Sequence, residues 1–153
     1  MADDLFELYQ GVVLEHNRNP RNFVEVDPAS HRGRGYNPLC GDHIELTLDV
    51  RDGVIHAIGF QGESCAIATA SASLLTEVLR GTRLEEAERV AARFRRALSG
   101  DEDAAVPEAL EPLRAVRRFP SRIKCAQLAW ASLEAALSGD EVATTEGRAR
   151  QKT

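Results

Sequence analysis

Residues 40–65 have the sequence CGDHIELTLDVRDGVIHAIGFQGESC. Between residues 43 and 50 polar and apolar side chains alternate, which is the pattern of a half-buried strand. Asp52-Gly53 is a strong signal for a two-residue hairpin turn, and residues 54–60 then predict the returning strand. The hairpin brings the cysteines at the two ends of this segment to the same end of the sheet.

Helical patterns flank the hairpin. An amphipathic helix is predicted from about Asp3 to His16, ending near Asn19-Pro20 because a residue before proline is disfavoured in a helix. The connection 21–39 is expected to hold a short strand before Cys40. Further helices are predicted at 65–80, closed by Gly81, at 84–98, at 107–116 and at 122–137.

These elements predict an α+β fold, in which a small, mostly antiparallel sheet of about three strands packs against several helices. Residues 1–139 are expected to form a single domain. The tail 140–153 has too little apolar content to pack and is predicted to be disordered.

The composition narrows the class of protein. A chain of 153 residues can form a core without metal or disulfides, and a net charge of −5 argues against a nucleic-acid partner. Acidic residues interrupt the first apolar residues, so no signal peptide is predicted, and no apolar run is long enough for a membrane span. A cytoplasmic location is expected, where thiols stay reduced and a set of three cysteines indicates a metal site or a catalytic group.

Each cysteine lies where a loop meets a regular element: Cys40 in Asn-Pro-Leu-Cys-Gly-Asp, Cys65 in Gly-Glu-Ser-Cys, and Cys125 in Arg-Ile-Lys-Cys. Cys65 is expected in the first turn of a buried helix, where free N–H groups favour a thiolate. Asp42 offers a fourth ligand. Three thiolates and a carboxylate suit zinc, although iron–sulfur clusters also use thiolates.

The pattern alone leaves other interpretations open. Free cysteine is among the most buried residue types, so the three could be plain core residues, and Asp42 could serve only a turn or cap. The four histidines are interpreted as structural or solvated. Arg122 and Lys124 flank Cys125 and could lower thiol pKa values or meet an acidic partner.

Three ordered motifs resemble the U-type iron–sulfur assembly family, which includes IscU, SufU and the NifU N-terminal domain. They are Asn37-Pro38-Leu39-Cys40-Gly41-Asp42, Gly62-Glu63-Ser64-Cys65-Ala66-Ile67-Ala68 and Lys124-Cys125. The opening helix and the segment 16–22 are also similar to that family, so the resemblance covers about residues 3–137.

Two departures from the scaffold branch resemble SufU. Scaffold proteins of the IscU type carry a histidine immediately before the last cysteine, within a Leu-Pro-Pro-Val-Lys motif, whereas Lys124 and the segment 119–123 stand there in this chain. The segment between the second and third cysteines is also longer here.

The SufU resemblance implies a zinc protein that relays persulfide sulfur from a SufS-type cysteine desulfurase toward downstream iron–sulfur assembly proteins. By motif match, Cys40, Asp42, Cys65 and Cys125 would hold Zn²⁺, and Cys40 would accept the sulfur. One alternative is a scaffold that holds a 2Fe–2S cluster on the same ligands. Another is a non-catalytic module whose zinc only stabilises the fold.

Overall fold

The computed structural model describes residues 9–38, 41–139 and 142–144. A π-helical turn, Tyr9–Val13, continues into the short helix α1, Leu14–Arg18. The following elements are β1 His31–Asn37, β2 Asp42–Arg51, β3 Val54–Glu63, α2 Ala66–Leu79, α3 Leu84–Leu98, a 3-10 helix Glu108–Arg118, α4 Pro120–Ser138 and β4 Val142–Thr144. Among the described residues, no helix is both long and apolar enough to cross a membrane.

The strands form one sheet in the order β3-β2-β1-β4, with β2 antiparallel to both its neighbours and β4 parallel to β1. Asp52 and Gly53 have positive φ angles of 53° and 77°, which a type I′ hairpin turn requires. On β2, the alternate residues Ile44, Leu46 and Leu48 are buried. The predicted hairpin and the α+β fold with a mostly antiparallel sheet are therefore confirmed.

Some predicted boundaries differ from the structure. The first helix ends at Arg18, just before Asn19 as predicted, but residues 3–8 lie outside the described part. β3 runs on past residue 60, because Glu63 still pairs with His43. The segment after Pro107 is a 3-10 helix rather than an α-helix, and the proline inside it, Pro112, cannot donate an α-helical hydrogen bond.

Part of the tail contributes to the sheet. Residues 142–144 were predicted to be disordered, yet they form β4 and pair in parallel with residues 34–36 of β1. The prediction is wrong for these three residues, because β1 offers an edge of unpaired backbone groups that a neighbouring strand can satisfy. The other residues of 140–153 lie outside the described part of the chain.

Helix α4 lies directly on β1 because two glycines leave room for its backbone. A Cβ atom on Gly33 would lie 2.2 Å from the carbonyl oxygen of Ser132, and one on Gly35 would lie 2.9 Å from that of Leu128. The Ser132 hydroxyl donates to the Ile44 carbonyl at 2.9 Å and so ties α4 to β2. Helix α2 packs between α4 and β3.

The segment after α1 is fastened to α2 by polar contacts. His16 is buried, and its Nδ1 lies 2.7 Å from the Ser73 hydroxyl, which also accepts the Arg21 backbone N–H at 2.8 Å. Asn22 donates to the Thr76 hydroxyl at 3.0 Å. These contacts give His16 a structural role, one of the two alternatives that the sequence left open for it.

Candidate metal centre

Three predicted ligands converge at one end of the sheet. The ligand atoms of Asp42, Cys65 and Cys125 all lie within 4.8 Å of one another, and they come from the start of β2, the N-terminus of α2 and the second turn of α4. Cys40 lies outside the described residues, so its place among the ligands stays a prediction. None of the four histidines joins the group.

Cys65 is the N-cap of α2 rather than a residue of its first turn. Its extended backbone, at φ −70° and ψ 171°, ends the preceding loop, and its Sγ accepts the Ala68 backbone N–H at 3.5 Å. This is the position usually filled by Ser, Thr, Asp or Asn, whose side-chain oxygens satisfy the free N–H groups of the first turn. A cysteine there points its sulfur into a field that favours negative charge.

Cys125 is buried in α4, with only 1% of its surface exposed. Its Sγ lies 3.7 Å from the Ser121 carbonyl oxygen, one turn earlier. The helix begins at Pro120, whose missing N–H costs nothing at the first helical position. The sulfur therefore sits in a rigid helix with little freedom to leave the group.

Asp42 occupies the first position of β2, after a turn in which Gly41 has a φ of 74° and its N–H donates to the Asn37 carbonyl at 2.8 Å. The residue is 7% exposed, and within the described residues its Oδ2 is buried without a hydrogen-bond partner. A buried carboxylate oxygen without a partner is costly, and a bound cation removes that cost. The donor set therefore fits a metal ion.

The electrostatics of the site also favour a cation. The pKa of Cys65 is lowered to about 7. The main cause is a hydrogen bond with the Cys125 thiol, and the N–H groups of Ala68 and Ile67 also contribute. Burial and the charge of Asp42 act in the opposite direction. The Cys65 sulfur and the Asp42 carboxyl group thus lie close together, where a divalent ion with a preference for sulfur would neutralise the charge of both.

The residues next to the ligands in sequence differ in their exposure. His43 is exposed and Asp42 is buried, so the two side chains lie on opposite faces of β2. Arg122 and Lys124 are half-buried on α4, and their role in docking a partner stays a prediction.

Sequence reasoning missed the residues that hold the ligand-bearing elements together. The buried hydroxyl of Ser71, which lies on α2, links that helix to α4. The buried hydroxyl of Ser132, which lies on α4, links that helix to β2. A signal was available, since each serine lies among alanines and leucines on a helix that is otherwise apolar. A polar residue in such a stretch is buried and must find a hydrogen-bond partner.

Curated relatives cover nearly the whole chain. It is 35% identical over 140 residues to the zinc-dependent sulfurtransferase SufU of Bacillus subtilis, which covers 90% of this chain and 95% of that protein. It is 38% identical over 135 residues to the iron–sulfur cluster assembly scaffold protein IscU of Streptococcus pyogenes, with 87% of this chain and 84% of that protein covered.

Solved structures share the fold. A candidate iron–sulfur cluster assembly scaffold protein for the SUF system from Fervidobacterium islandicum superposes with a TM-score of 0.77 at 26% identity, covering 86% of this chain and 97% of that one. The N-terminal part of a NifU-like protein from Brucella abortus gives a TM-score of 0.79 at 20% identity, covering 88% and 95%. The family model for the NifU-like N-terminal domain matches residues 8–141, and this chain belongs to that family.

Proposed function

We propose that this protein is a zinc-dependent sulfurtransferase that accepts persulfide sulfur from a SufS-type cysteine desulfurase for iron–sulfur cluster assembly. The observation that carries the proposal is the convergence of Asp42, Cys65 and Cys125, with a buried carboxylate oxygen that lacks a partner among the described residues. The similarity to a relative named as a zinc-dependent sulfurtransferase supports this choice of reaction.

In this proposal Asp42, Cys65 and Cys125 would hold the zinc ion together with Cys40. Bound zinc keeps thiols deprotonated at neutral pH, has no redox chemistry and tolerates exchange of a ligand. Cys65 and Cys125 are fixed by an N-cap and a helix, so they serve as the permanent ligands. Cys40 is the ligand that we assign to sulfur transfer.

The transfer step conserves atoms and electrons. The Cys40 thiolate attacks the outer sulfur of a persulfide on the desulfurase cysteine, a new S–S bond forms on Cys40, and the old S–S bond breaks. The desulfurase cysteine leaves as a thiolate, so no external oxidant or reductant is required. The attacking sulfur must be deprotonated, and a bound zinc ion would favour that form of the thiol.

Desulfurase turnover measured with and without this protein tests the proposal, with zinc content determined on the same samples. We expect Cys40→Ala to abolish the stimulation of turnover. Asp42→Asn should lower zinc affinity by more than the roughly 10–100-fold typical of residues that only orient ligands. Asp49→Asn is the matched control, because Asp49 is on the same strand but pairs with Arg51 at 2.8 Å. Full stimulation by the Cys40 variant would refute the assignment.

The second candidate is a scaffold for a 2Fe–2S cluster, which the similarity to scaffold proteins of the IscU type favours. The same thiols could ligate iron, since ligand type does not separate zinc from iron–sulfur sites. Anaerobic purification followed by metal and sulfide analysis and visible absorption separates the two functions. Firmly held zinc without sulfide supports transfer, whereas a brown, sulfide-containing protein supports the scaffold.

A further inference from the structure

A buried hydroxyl joins the two helices that carry the cysteine ligands. Ser71, on α2, is fully buried and donates to the Ala126 carbonyl of α4 at 2.7 Å. The same oxygen accepts the Nε1–H of Trp130, also on α4, at 3.1 Å. Both capacities of the hydroxyl are therefore used between α2 and α4, with no water required.

The positions of these contacts bring them close to the candidate metal centre. Ala126 follows Cys125 directly in α4, and Ser71 lies six residues after Cys65, about 9 Å along α2. Ala126 and Trp130 are four residues apart, so Ser71 touches two successive turns of α4. Two contacts on neighbouring turns restrain both sliding of the helix along its axis and rotation about it.

The packing around Trp130 keeps this link in place. The indole is 3% exposed, and its ring centroid lies 5.0 Å from that of Phe94 on α3. The indole therefore cannot turn away to find water if its hydrogen bond is lost. Loss of the Ser71 hydroxyl would leave a buried N–H without its partner, and the helices would have to shift to relieve it.

We propose that Ser71 and Trp130 are positioning residues that set the separation of the Cys65 and Cys125 sulfurs, and with it the affinity of the site for zinc. The inference rests on the metal site assigned under the proposed function. Neither side chain contacts the ion in this proposal. They act through the helix backbones, as outer-shell groups that orient metal ligands do.

Ser73 provides a matched control on the same helix. Like Ser71 it is fully buried, and its hydroxyl also has two partners, His16 and the Arg21 backbone. These partners belong to the N-terminal segment and not to α4. Ser73→Ala therefore removes a comparable pair of hydrogen bonds without touching the link between the two cysteine helices.

The first measurement is zinc affinity by chelator competition for the full-length protein and its Ser71→Ala, Ser73→Ala and Trp130→Phe variants. We expect Ser71→Ala to weaken zinc binding about 10–100-fold. Trp130→Phe retains the serine contact with Ala126 and should give a smaller loss. Ser73→Ala should weaken zinc binding by less than the roughly 10-fold that marks an outer-shell effect, even if it lowers the melting temperature as much as Ser71→Ala does.

The second measurement needs no metal. In a Cys40→Ser background, dibromobimane becomes fluorescent when it links two neighbouring thiols, so its reaction with metal-free protein reports the approach of Cys65 to Cys125. Ser71→Ala should slow this cross-linking and Ser73→Ala should not. Equal cross-linking and equal zinc affinity in the two serine variants would overturn the inference. Failure of the parent protein to bind zinc, with the cross-linking difference present, would refute the proposed metal function and leave the positioning role standing.

Discussion

Gly33→Ala tests the claim that α4 is seated on the backbone of β1. The new Cβ would lie 2.2 Å from the Ser132 carbonyl oxygen and 2.5 Å from the Ala136 nitrogen. Ordinary contact begins at 3.4 Å, so α4 would have to retreat by about 1.2 Å. Both atoms belong to the helix backbone, so no side chain can rotate aside to make room.

The expected loss of stability follows from two opposing effects. Overfilling a packed interior lowers the unfolding free energy by about 1–3 kcal/mol. The loss here should lie at the upper end of that range, because the obstacle is helix backbone that cannot rotate aside. The backbone of Gly33 is not left-handed, so alanine would otherwise stabilise by about 0.4–1 kcal/mol through the unfolded chain. A net destabilisation of about 2 kcal/mol remains, which corresponds to about 4–8 °C in Tm for a domain of this size.

Urea unfolding of the metal-free protein measures this difference directly. Arg34→Ala is the control, because Arg34 is the next residue on β1 but its side chain is 68% exposed, and its loss should cost less than about 0.5 kcal/mol. The m-values of parent and variants should agree, so that the midpoints can be compared. A Gly33→Ala protein as stable as the parent would show that α4 does not rest on β1 as described.

Two further predictions concern the turn and the N-terminal segment. Gly53→Ala should lower the unfolding free energy by about 1–2 kcal/mol in urea titrations, because Gly53 has a φ of 77°, whereas an unchanged midpoint would contradict the type I′ turn. Burial, followed by the charge of Arg21, lowers the pKa of His16 below 6.5, so below that pH the unfolded chain binds more protons than the folded protein. The unfolding free energy should therefore fall as the pH drops from the unfolded pKa of 6.5 through the lower folded pKa, and His16→Gln should reduce that fall; equal falls in both proteins would contradict it.

The hairpin was predictable because its signals are local. Alternation over residues 43–50 depends only on the period of a strand, and Asp52-Gly53 specifies the turn by its own conformational preferences. The helix at 84–98 was predicted with its observed limits, since its acidic first turn, its basic last turn and its apolar stripe all indicate the same helix. The strand at 142–144 could not be predicted in this way, because it depends on an edge of β1 that exists only in the folded sheet.

The convergence of three of the four predicted ligands could be anticipated from the sequence, whereas the contacts that support them could not, and metal binding by the set stays a prediction. Asp42, Cys65 and Cys125 could be selected from motifs, and the hairpin already placed two of the three motifs at one end of the sheet. Their mutual distance depends on how α2 and α4 pack, and that packing depends on hydroxyls such as that of Ser71, which carry no motif. Contacts that arise from tertiary packing leave only a faint trace in a single sequence.

The position of the site near the starts of three elements has a physical reason. At the N-cap of α2 the backbone still has free N–H groups, which stabilise the Cys65 thiolate, whereas the middle of a helix would offer none. The core does not depend on the site, because the buried apolar residues of β2, α2, α3 and α4 form one continuous cluster that Cys125 only joins. A core that does not depend on the site is compatible with the exchangeable ligand that the proposed sulfur transfer requires, whereas a purely structural zinc would need no such independence.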